Sequence, residues 1–304
     1  MSQKDHSHVW RDLSTDWLTW ADRLAPQAGK INTHLIDALQ LPGLSSVHKD
    51  RGLRVLDLAS GVGEPAFGIA KMLAADVSGE RPDIDSPVKS ASETGLRGHV
   101  VASDIVPGMC DGLAARAQAE GIGNLDVVVA DMAALPFGAQ TFDAISCRFG
   151  IMFCQNPDQA LGETYRVLAP AGRAAFMLWA PMAHNPLFVA MEAVLRAEIG
   201  IGFDGAGLNL FGFADPQSSI ARMKKAGFTD ISLATHAPVG RIPAKAAFWR
   251  PQMEMLFGPY LRNAGANKSF AIDAAMGAEL SQHIEDAHFR VPMCFHILSG
   301  CRGS

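Results

Sequence analysis

The sequence predicts an α/β protein built on a mostly parallel β-sheet. From residue 53 to residue 179, short apolar segments alternate with segments of helical periodicity, as in strand–helix–strand units joined by right-handed crossovers. The apolar segments contain few polar positions, which is expected of strands covered on both faces. A chain of 304 residues with 48% hydrophobic and 19% charged residues can form such a core and an additional helical part.

The elements of this central region are predicted from apolar runs and their spacing. They are strand Leu53–Leu58, helix Glu64–Ala74, strand His99–Ser103, helix Gly108–Glu120, strands Leu125–Ala130 and Phe142–Cys147, helix Asp158–Leu168 and strand Arg173–Trp179. Residues 76–97 are rich in Ser, Pro, Asp and Gly, which predicts a long surface insertion.

Helical segments are predicted on both sides of this region. Residues 9–40 carry apolar side chains at spacings of three and four, with a second helix over Asn32–Gln40 and a chain break at Pro42-Gly43. The C-terminal elements are helix Pro186–Ile199, a mobile loop over Gly200–Ala214, helix Gln217–Ala226, strand Phe228–His236, a mostly helical region over 244–285 and a final strand Val291–Leu298.

Charge and cysteine usage exclude several classes of function. A net charge of -5 gives no basic surface for nucleic acid, and no apolar run is long enough to span a bilayer. The polar N-terminus lacks the apolar core of a signal peptide, so we expect a cytoplasmic protein that does not bind membranes. The five cysteines show no C-x-x-C spacing and are expected to be free thiols, and no metal site is expected.

The segment from Asp57 to Gly63 carries the most functional information. It ends a strand with an acid and continues through Gly61 and Gly63 into a helix, whose first N–H groups and dipole favour a nucleotide ligand. Gly61-x-Gly63-x-x-Ala66 also fits the dinucleotide fingerprint, so an NAD-dependent oxidoreductase is one interpretation. The dinucleotide fingerprint expects an acid about 20 residues further on, at the end of the next strand. Here that acid is Asp104, which lies 41 residues after Gly63. The insertion at 76–97 accounts for the additional residues, so the spacing does not decide between the two cofactors.

Five ordered segments resemble class I S-adenosylmethionine-dependent methyltransferases of the ubiquinone/menaquinone-biosynthesis type, which carry a methyltransferase type 11 domain. The glycine loop matches the family's D-x-G-x-G-x-G pattern, with Ala59 at the first glycine. The other matching segments follow the second and third strands, contain the fourth strand, and precede the fifth: Asp104–Met109, Ala130–Phe137, Phe142–Phe153 and Glu163–Gly172.

The resemblance implies a Rossmann-like fold with a seven-stranded mostly parallel sheet, helices on both faces, a helical cap and an antiparallel last strand. It divides the chain into an N-terminal helical lid (1–45), an S-adenosylmethionine-binding core (46–184) and a substrate cap with the final strands (185–304). The implied reaction is transfer of a methyl group from S-adenosylmethionine to a small, apolar or aromatic molecule by in-line displacement. A non-catalytic binding module of the same fold is a further alternative, and homodimer formation stays open.

The residues expected to bind the cofactor follow from the matched segments. They are Asp57, Ala59, Ser60, Gly61, Gly63, Asp104, Ile105, Met109, Asp131, Met132 and Cys147. Asp57 would order the loop or meet the cofactor's ammonium group, Asp104 would accept from the ribose hydroxyls, and Asp131 from the adenine amino group. Met109 and Met132 would pack against adenine. Each acid also has a simpler interpretation as a turn or helix cap, and Met109 as a core residue.

The residues on the substrate side are fixed less firmly by the motifs. Trp17 and Trp20 are expected either to close over the cofactor as a lid or to be helix-face core. Phe149 would wall the methyl cavity, and Arg148 would hold an anionic substrate group or, as the favoured interpretation, pair with a structural carboxylate. His184, after the fifth strand, is a candidate general base, although a structural role is more common for a single histidine.

Overall fold

The protein is described by a computed structural model that covers residues 7–47, 51–74 and 96–303. The strands are β1 Leu53–Leu58, β2 Gly98–Asp104, β3 Leu125–Val129, β4 Phe142–Arg148, β5 Leu168–Trp179, β6 Thr229–His236, β7 Val239–Pro243, β8 Ile284–Glu285, β9 His288–Pro292 and β10 Phe295–Cys301. The helices are α1 Ser7–Ala38, α2 Leu41–Val47, α3 Ala66–Leu73, α4 Pro107–Ala119, α5 Pro157–Val167, α6 Pro186–Ile199, α7 Pro216–Lys225, α8 Arg250–Ala264 and α9 Ala266–Leu280. Short 3₁₀ turns cover Ile151–Phe153, Met182–His184 and Ser281–His283.

Seven strands form the central sheet in the order β3-β2-β1-β4-β5-β10-β6. The pairings from β3 to β5 are parallel, and β10 pairs antiparallel with β5 and β6. The predicted seven-stranded, mostly parallel sheet with an antiparallel last strand is therefore confirmed. Strand order reverses between β1 and β4, and open α/β sheets bind ligands at the carboxyl ends of strands at such a point.

The sequence of the central strands explains why they lie in the middle of the sheet. Every residue of β4 from Phe142 to Cys147 is buried, and β1 is buried except at Arg54. Consecutive buried positions mean that both faces of these strands are covered, as the apolar runs predict. Strand β5 begins at Leu168, earlier than the predicted Arg173, because an irregularity in its pairing with β4 places Leu168 opposite Phe142.

The N-terminal helix differs from the prediction in two ways. It is one element of 32 residues, with no separate helix beginning at Asn32, and Leu35 near its end is fully buried in the core. The chain turns at Gln40, which has a φ of 52°, and the predicted break at Pro42-Gly43 lies inside α2. Pro42 is tolerated there because the first turn of a helix does not use its N–H groups.

The C-terminal part contains a second sheet that the sequence did not predict. Strands β7, β9 and β8 form it in that order, while helices α8 and α9 account for the helical character predicted for 244–285. The predicted strand Val291–Leu298 is wrong as a single element, since Val291 belongs to β9 and β10 begins at Phe295. Pro292, which has no N–H, ends β9 where the chain changes from one sheet to the other.

The remaining predictions of this region have mixed outcomes. Gly227, with a φ of 103°, follows helix α7 as expected of a C-terminal glycine. Residues 200–214 have no regular structure, but the segment is packed, with Phe203, Leu210 and Phe213 buried. The predicted insertion at 76–97 lies outside the described residues except for its last two positions.

Candidate functional site

The loop that follows β1 adopts the backbone conformation of a glycine-rich loop. Ala59, Gly61 and Gly63 have φ values of 50°, 52° and 111°. This left-handed region costs a residue with a side chain about 1–2 kcal/mol, whereas glycine enters it readily. Ala59 therefore keeps the conformation of the glycine it replaces in the family pattern.

The two glycines of the loop differ in what surrounds them. A Cβ atom added to Gly63 would lie 2.6 Å from the ring of Phe67, so this glycine is needed for packing against α3. A Cβ atom added to Gly61 would meet no atom within 4 Å. The loop is thus closed on the side of Gly63 and open at Gly61, where a ligand has access to the backbone.

The carboxylate of Asp104 joins the glycine loop to the end of β2. Its Oδ2 accepts from the Gly61 N–H at 3.0 Å, and its Oδ1 accepts from the Val106 N–H at 3.0 Å. Burial raises the pKa of Asp104, and these N–H groups oppose that effect. Val106 occupies the N-cap position of α4, so Asp104 forms the turn before the helix and is not its N-cap. Each oxygen has a second lone pair for a ligand hydroxyl.

Ser60 is buried and ties β1 to β2. Its hydroxyl donates to the carbonyl oxygen of Asp57 at 2.9 Å and its N–H donates to the carbonyl oxygen of Ser103 at 2.9 Å. The Ser103 hydroxyl donates to the same Asp57 carbonyl at 3.1 Å. These bonds fix the loop relative to the sheet, so the side chain of Ser60 already has a structural role.

Asp57 is fully buried and its carboxylate points toward β4. Ser146 donates to Oδ1 at 2.6 Å, whereas Oδ2 has no hydrogen-bond partner. Burial raises the pKa of Asp57 to about 7, the Ser146 and Ser60 hydroxyls oppose the shift, and nearby Glu64 adds to it. The expectation that this carboxylate orders the loop through backbone N–H groups does not match this geometry, because its hydrogen bond goes to β4.

Arg148 ends β4 beside the same carboxylate. Its Nε is buried and has no hydrogen-bond partner, and burial lowers the pKa of this arginine against the opposing charges of Glu64 and Asp57. Asn32 of α1 completes the group, since its Nδ2 donates to Glu64 Oε2 at 2.6 Å. One cation and two carboxylates from different elements thus surround the loop.

The residues expected around adenine are distributed over two short segments. Ile105 follows β2 and is 38% exposed, so its side chain is accessible to a ligand at this sheet edge. Asp131 is exposed, and its Oδ1 accepts from the Ala133 N–H at 2.8 Å in a turn. Met132 packs against the core. Met109 is only 5% exposed, as in its interpretation as a core residue.

Phe149 occupies the tip of β4 in a left-handed conformation. Its φ is 50°, and its N–H donates to the carbonyl oxygen of Met177 at 2.9 Å. The ring stacks on Trp179 with centroids 4.1 Å apart and meets Phe295 edge-on. Strained backbone of this kind is held in place by surrounding structure and clusters at functional sites. Cys147, just before it, is fully buried, and burial raises its pKa to about 12.

Trp17 and Trp20 connect the N-terminal helix to the cap. The indole of Trp17 donates to the carbonyl oxygen of Met255 at 2.9 Å, and that of Trp20 donates to Glu254 Oε2 at 2.7 Å. Both acceptors lie on α8. The two side chains therefore fix α1 against a cap helix, and their closing over a cofactor stays a prediction.

His184 lies at the end of a 3₁₀ turn after β5 and is exposed. Its backbone N–H donates to the carbonyl oxygen of Pro181 at 2.9 Å. A general base is normally held by a second group that fixes its orientation, and within the described chain the imidazole of His184 has no hydrogen bond. Its role as a base stays a prediction.

A cavity of about 520 Å³ opens beside the segment that follows β4. Its wall combines apolar, amide and charged side chains from this segment, from the start of α5, from residues 209–213 and from α7, among them Met152, Asn156, Asp158, Asn209 and Arg222. Core and cap thus share a space of the size of a small-molecule site.

Sequence reasoning missed three residues of the site. Asn32 was assigned only to a helix, Ser146 only to a strand, and Glu64 only to the start of the predicted helix Glu64–Ala74, which in the structure begins at Ala66. The position of Glu64 directly after Gly63 was a usable signal, because an acid there must lie beside the loop. Asn32 lies 32 residues away along the chain from its partner Glu64, and no local pattern reveals such a contact.

Metal and thiol chemistry find little support in the described part of the chain. No group of three or more metal-ligating side chains occurs there. All five cysteines are free, and burial raises the pKa of each. Among the described helices, none is long and apolar enough to cross a membrane.

Comparison with known proteins finds similarity to methyltransferases over part of the chain. Residues 85–176 match the family described as Methyltransferase domain. Over 180 residues the chain is 28% identical to the ubiquinone/menaquinone biosynthesis C-methyltransferase UbiE of Ruegeria sp. (strain TM1040), covering 59% of this chain and 52% of that one. The UbiE protein of Rhizobium meliloti (strain 1021) is 35% identical over 140 residues, covering 46% and 44%. The chain spans about half the length of the curated relatives it matches.

Solved structures share the fold. The BH2331 protein of Bacillus halodurans superposes with a TM-score of 0.51 at 16% identity, covering 87% of this chain and 99% of that one. Phosphoethanolamine N-methyltransferase 2 of Haemonchus contortus, solved with phosphomonomethylethanolamine and S-adenosylhomocysteine, gives 0.50 at 18% identity, covering 87% and 53%. Residues 85–176 thus match a methyltransferase domain, part of the chain is similar in sequence to UbiE C-methyltransferases, and the chain shares its fold with solved methyltransferases.

Proposed function

We propose that the protein is an S-adenosylmethionine-dependent methyltransferase that acts on a small molecule. The observation that carries the proposal is the glycine loop at the point where strand order reverses, open at Gly61 and held there by Asp104. The match of residues 85–176 to a methyltransferase domain and the similarity to UbiE sequences support it.

The chain's residues suit the three parts of this cofactor. Gly61 leaves room for close approach of the methionine and ribose part, and Asp104 has lone pairs left for two ribose hydroxyls. Exposed Ile105 and Asp131 suit the face and the amino group of adenine. The cofactor supplies an activated methyl group whose leaving group is a neutral thioether, so no acid is needed for its departure. Positioning the acceptor and excluding water is then the protein's main task.

The acceptor side lies between the tip of β4 and the cap. Phe149 stacks on Trp179, and behind them Trp179 meets Phe188 edge-on with centroids 4.7 Å apart. This aromatic wall favours an apolar or aromatic acceptor.

Calorimetric titration with S-adenosylhomocysteine tests the proposal, with NAD as the competing ligand. We expect binding of S-adenosylhomocysteine below about millimolar and no binding of NAD. Binding of NAD alone would establish the oxidoreductase alternative, whereas cofactor binding without methyl transfer to any of a panel of small aromatic acceptors would favour a binding module.

A pair of glycine variants localises the binding. Gly61→Ala places a methyl group in open space at a left-handed backbone cost of about 1–2 kcal/mol, and is expected to fold but to lose at least about tenfold in affinity. Gly63→Ala forces a methyl group into the Phe67 ring and is expected to destabilise the fold itself. Unchanged affinity of the Gly61 variant would contradict the proposed site.

A further inference from the structure

Three buried side-chain atoms lack a hydrogen-bond partner in the described part of the chain, and all three belong to one cluster. They are Asn32 Oδ1, Asp57 Oδ2 and Arg148 Nε. Glu64 connects them, since it accepts from Asn32 and its charge acts on both Asp57 and Arg148. The cluster brings together α1, the end of β1, the glycine loop and the end of β4.

Such atoms are costly, and their concentration at one place indicates a ligand. Leaving a buried polar group unsatisfied costs about 1–3 kcal/mol, and more for a charged group. Arg148 is a partly buried cation near two carboxylates, and its guanidinium lies 5.3 Å from the ring centroid of Phe149. It nevertheless forms no ion pair with another described residue. Oppositely charged side chains attract each other. The lack of an ion pair between Arg148 and the carboxylates of Asp57 and Glu64 is therefore consistent with a site that holds a ligand group between them.

The chemical character of the unpaired atoms specifies the group. Asn32 Oδ1 and Asp57 Oδ2 are acceptors, and Arg148 Nε is a donor. An α-amino acid in its zwitterionic form presents the complement, because its ammonium has three donors and its carboxylate has only acceptors. Neither an adenine ring nor a ribose carries these two opposite charges.

We propose that Arg148 binds the carboxylate of the cofactor's amino-acid end, while Asn32 and Asp57 accept from its ammonium group. The inference rests on the proposed function and extends it, because it makes Arg148 a cofactor residue and gives the N-terminal helix a direct contact with the cofactor. It replaces the expectation that Arg148 pairs with a structural carboxylate.

The two roles of Arg148 predict different effects on ligand binding. Replacing Arg148 by methionine relieves the desolvation cost of the cation, but it also removes a charge that acts on Asp57 and Glu64 and a guanidinium that lies over the Phe149 ring. The stability of the ligand-free protein therefore does not separate the two roles. A structural residue would affect the binding of every nucleoside alike, whereas a binding residue for the amino-acid end affects only a ligand that carries this end.

Two nucleosides that differ only in the amino-acid end test the assignment. S-adenosylhomocysteine carries this end, and 5′-methylthioadenosine lacks it. We expect Arg148→Met to weaken S-adenosylhomocysteine binding at least about tenfold, the loss of one charge-assisted bond, and to change 5′-methylthioadenosine binding less than about twofold. Asn32→Leu should show the same selectivity with a smaller loss. Arg290→Met, which removes a half-exposed arginine from the small sheet, is the control and should alter neither affinity.

The outcomes separate the inference from the function on which it rests. Equal loss for both nucleosides, or no loss for either, would overturn the inference. If the unmodified protein binds neither nucleoside, the proposed cofactor is wrong and the inference falls with it. If the methionine variant does not fold, Arg148→Lys provides a second test, because it keeps the positive charge but not the guanidinium geometry. This variant should still bind S-adenosylhomocysteine more weakly while its affinity for 5′-methylthioadenosine is unchanged.

Discussion

The methyl group of Ala59 occupies the space that a side chain at Gly150 would need. A Cβ atom built on Gly150 would lie 2.5 Å from Ala59 Cβ and 2.9 Å from Cys147 Sγ. The family pattern has glycine at position 59, and here the alanine is accommodated because the residue facing it across the β1–β4 boundary is glycine. The loop therefore keeps its conformation despite the substitution.

Ala59→Gly is expected to leave the free energy of unfolding unchanged or to raise it by up to about 1 kcal/mol. The variant removes a left-handed backbone cost of about 1–2 kcal/mol. The greater conformational entropy of glycine in the unfolded chain offsets about 0.4–1 kcal/mol of this stabilisation. Urea unfolding followed by circular dichroism measures the difference. A loss of more than about 1 kcal/mol would mean that the packing of the methyl group outweighs the strain.

Gly150→Ala gives the complementary test. Its φ of -107° suits alanine, so the expected loss of about 1–3 kcal/mol comes from crowding against Ala59 and Cys147 alone. In the Ala59→Gly background this loss should shrink by at least about 1 kcal/mol, since one of the two contacts is gone. Additive effects of the two substitutions in a double-mutant cycle would contradict the shared space.

Asp104→Ala is expected to weaken S-adenosylhomocysteine binding at least about tenfold. The variant removes the acceptor for ribose hydroxyls and also releases the Gly61 N–H, which is held at 3.0 Å in the free protein. Isothermal titration calorimetry measures the loss. Asp126→Ala, on the neighbouring strand β3 and paired with His99 at the surface, is the matched control. Equal affinities of the two variants would leave Asp104 with a structural role only.

The buried carboxyl of Asp57 should make stability depend on pH. Its pKa is raised by burial from 3.8 to about 7. Between about pH 4 and pH 7 the folded chain keeps this proton while the unfolded chain loses it, so the free energy of unfolding falls as pH rises through this window. The contribution is at most about 1.4 kcal/mol per pH unit and levels off above pH 7.

Asp57→Asn isolates this effect, because asparagine does not titrate and Glu64 and Asp104 are unchanged. We expect the variant's stability to fall less steeply than that of the unmodified protein when both are unfolded in urea at pH 4.5, 6 and 7.5. Parallel curves across this range would show that the carboxyl is ionised throughout and that its pKa is not raised.

The cofactor half of the site was predictable because its signals are local in sequence. Gly61, Gly63 and Asp104 belong to short segments whose residue types are set by backbone conformation and strand ends, and the structure brings them together at one sheet edge. The antiparallel last strand was predicted only through the family resemblance. Its start was misplaced because β9 and β10 follow each other with two linking residues and look like one apolar run.

The arrangement around Arg148 was not predictable from local patterns. Arg148 was expected to have a structural partner, and Asn32 was not considered, because nothing in the sequence states that α1 passes beside the end of β4. The small sheet was missed for the same reason, since β7 and β9 are short and are stabilised by pairing across about 50 residues of chain.

By itself, the sequence determined the sheet-based fold class, the glycine loop and the acids at the ends of β1 and β2. Strand burial, backbone conformation and turn chemistry constrain residue types over a few positions, and those constraints can be read directly. The tertiary structure alone decided that Asn32, Asp57 and Arg148 meet as unsatisfied groups in one buried cluster. Their meeting depends on how a 32-residue helix packs across the sheet, and that packing is the sum of many weak contacts between distant residues.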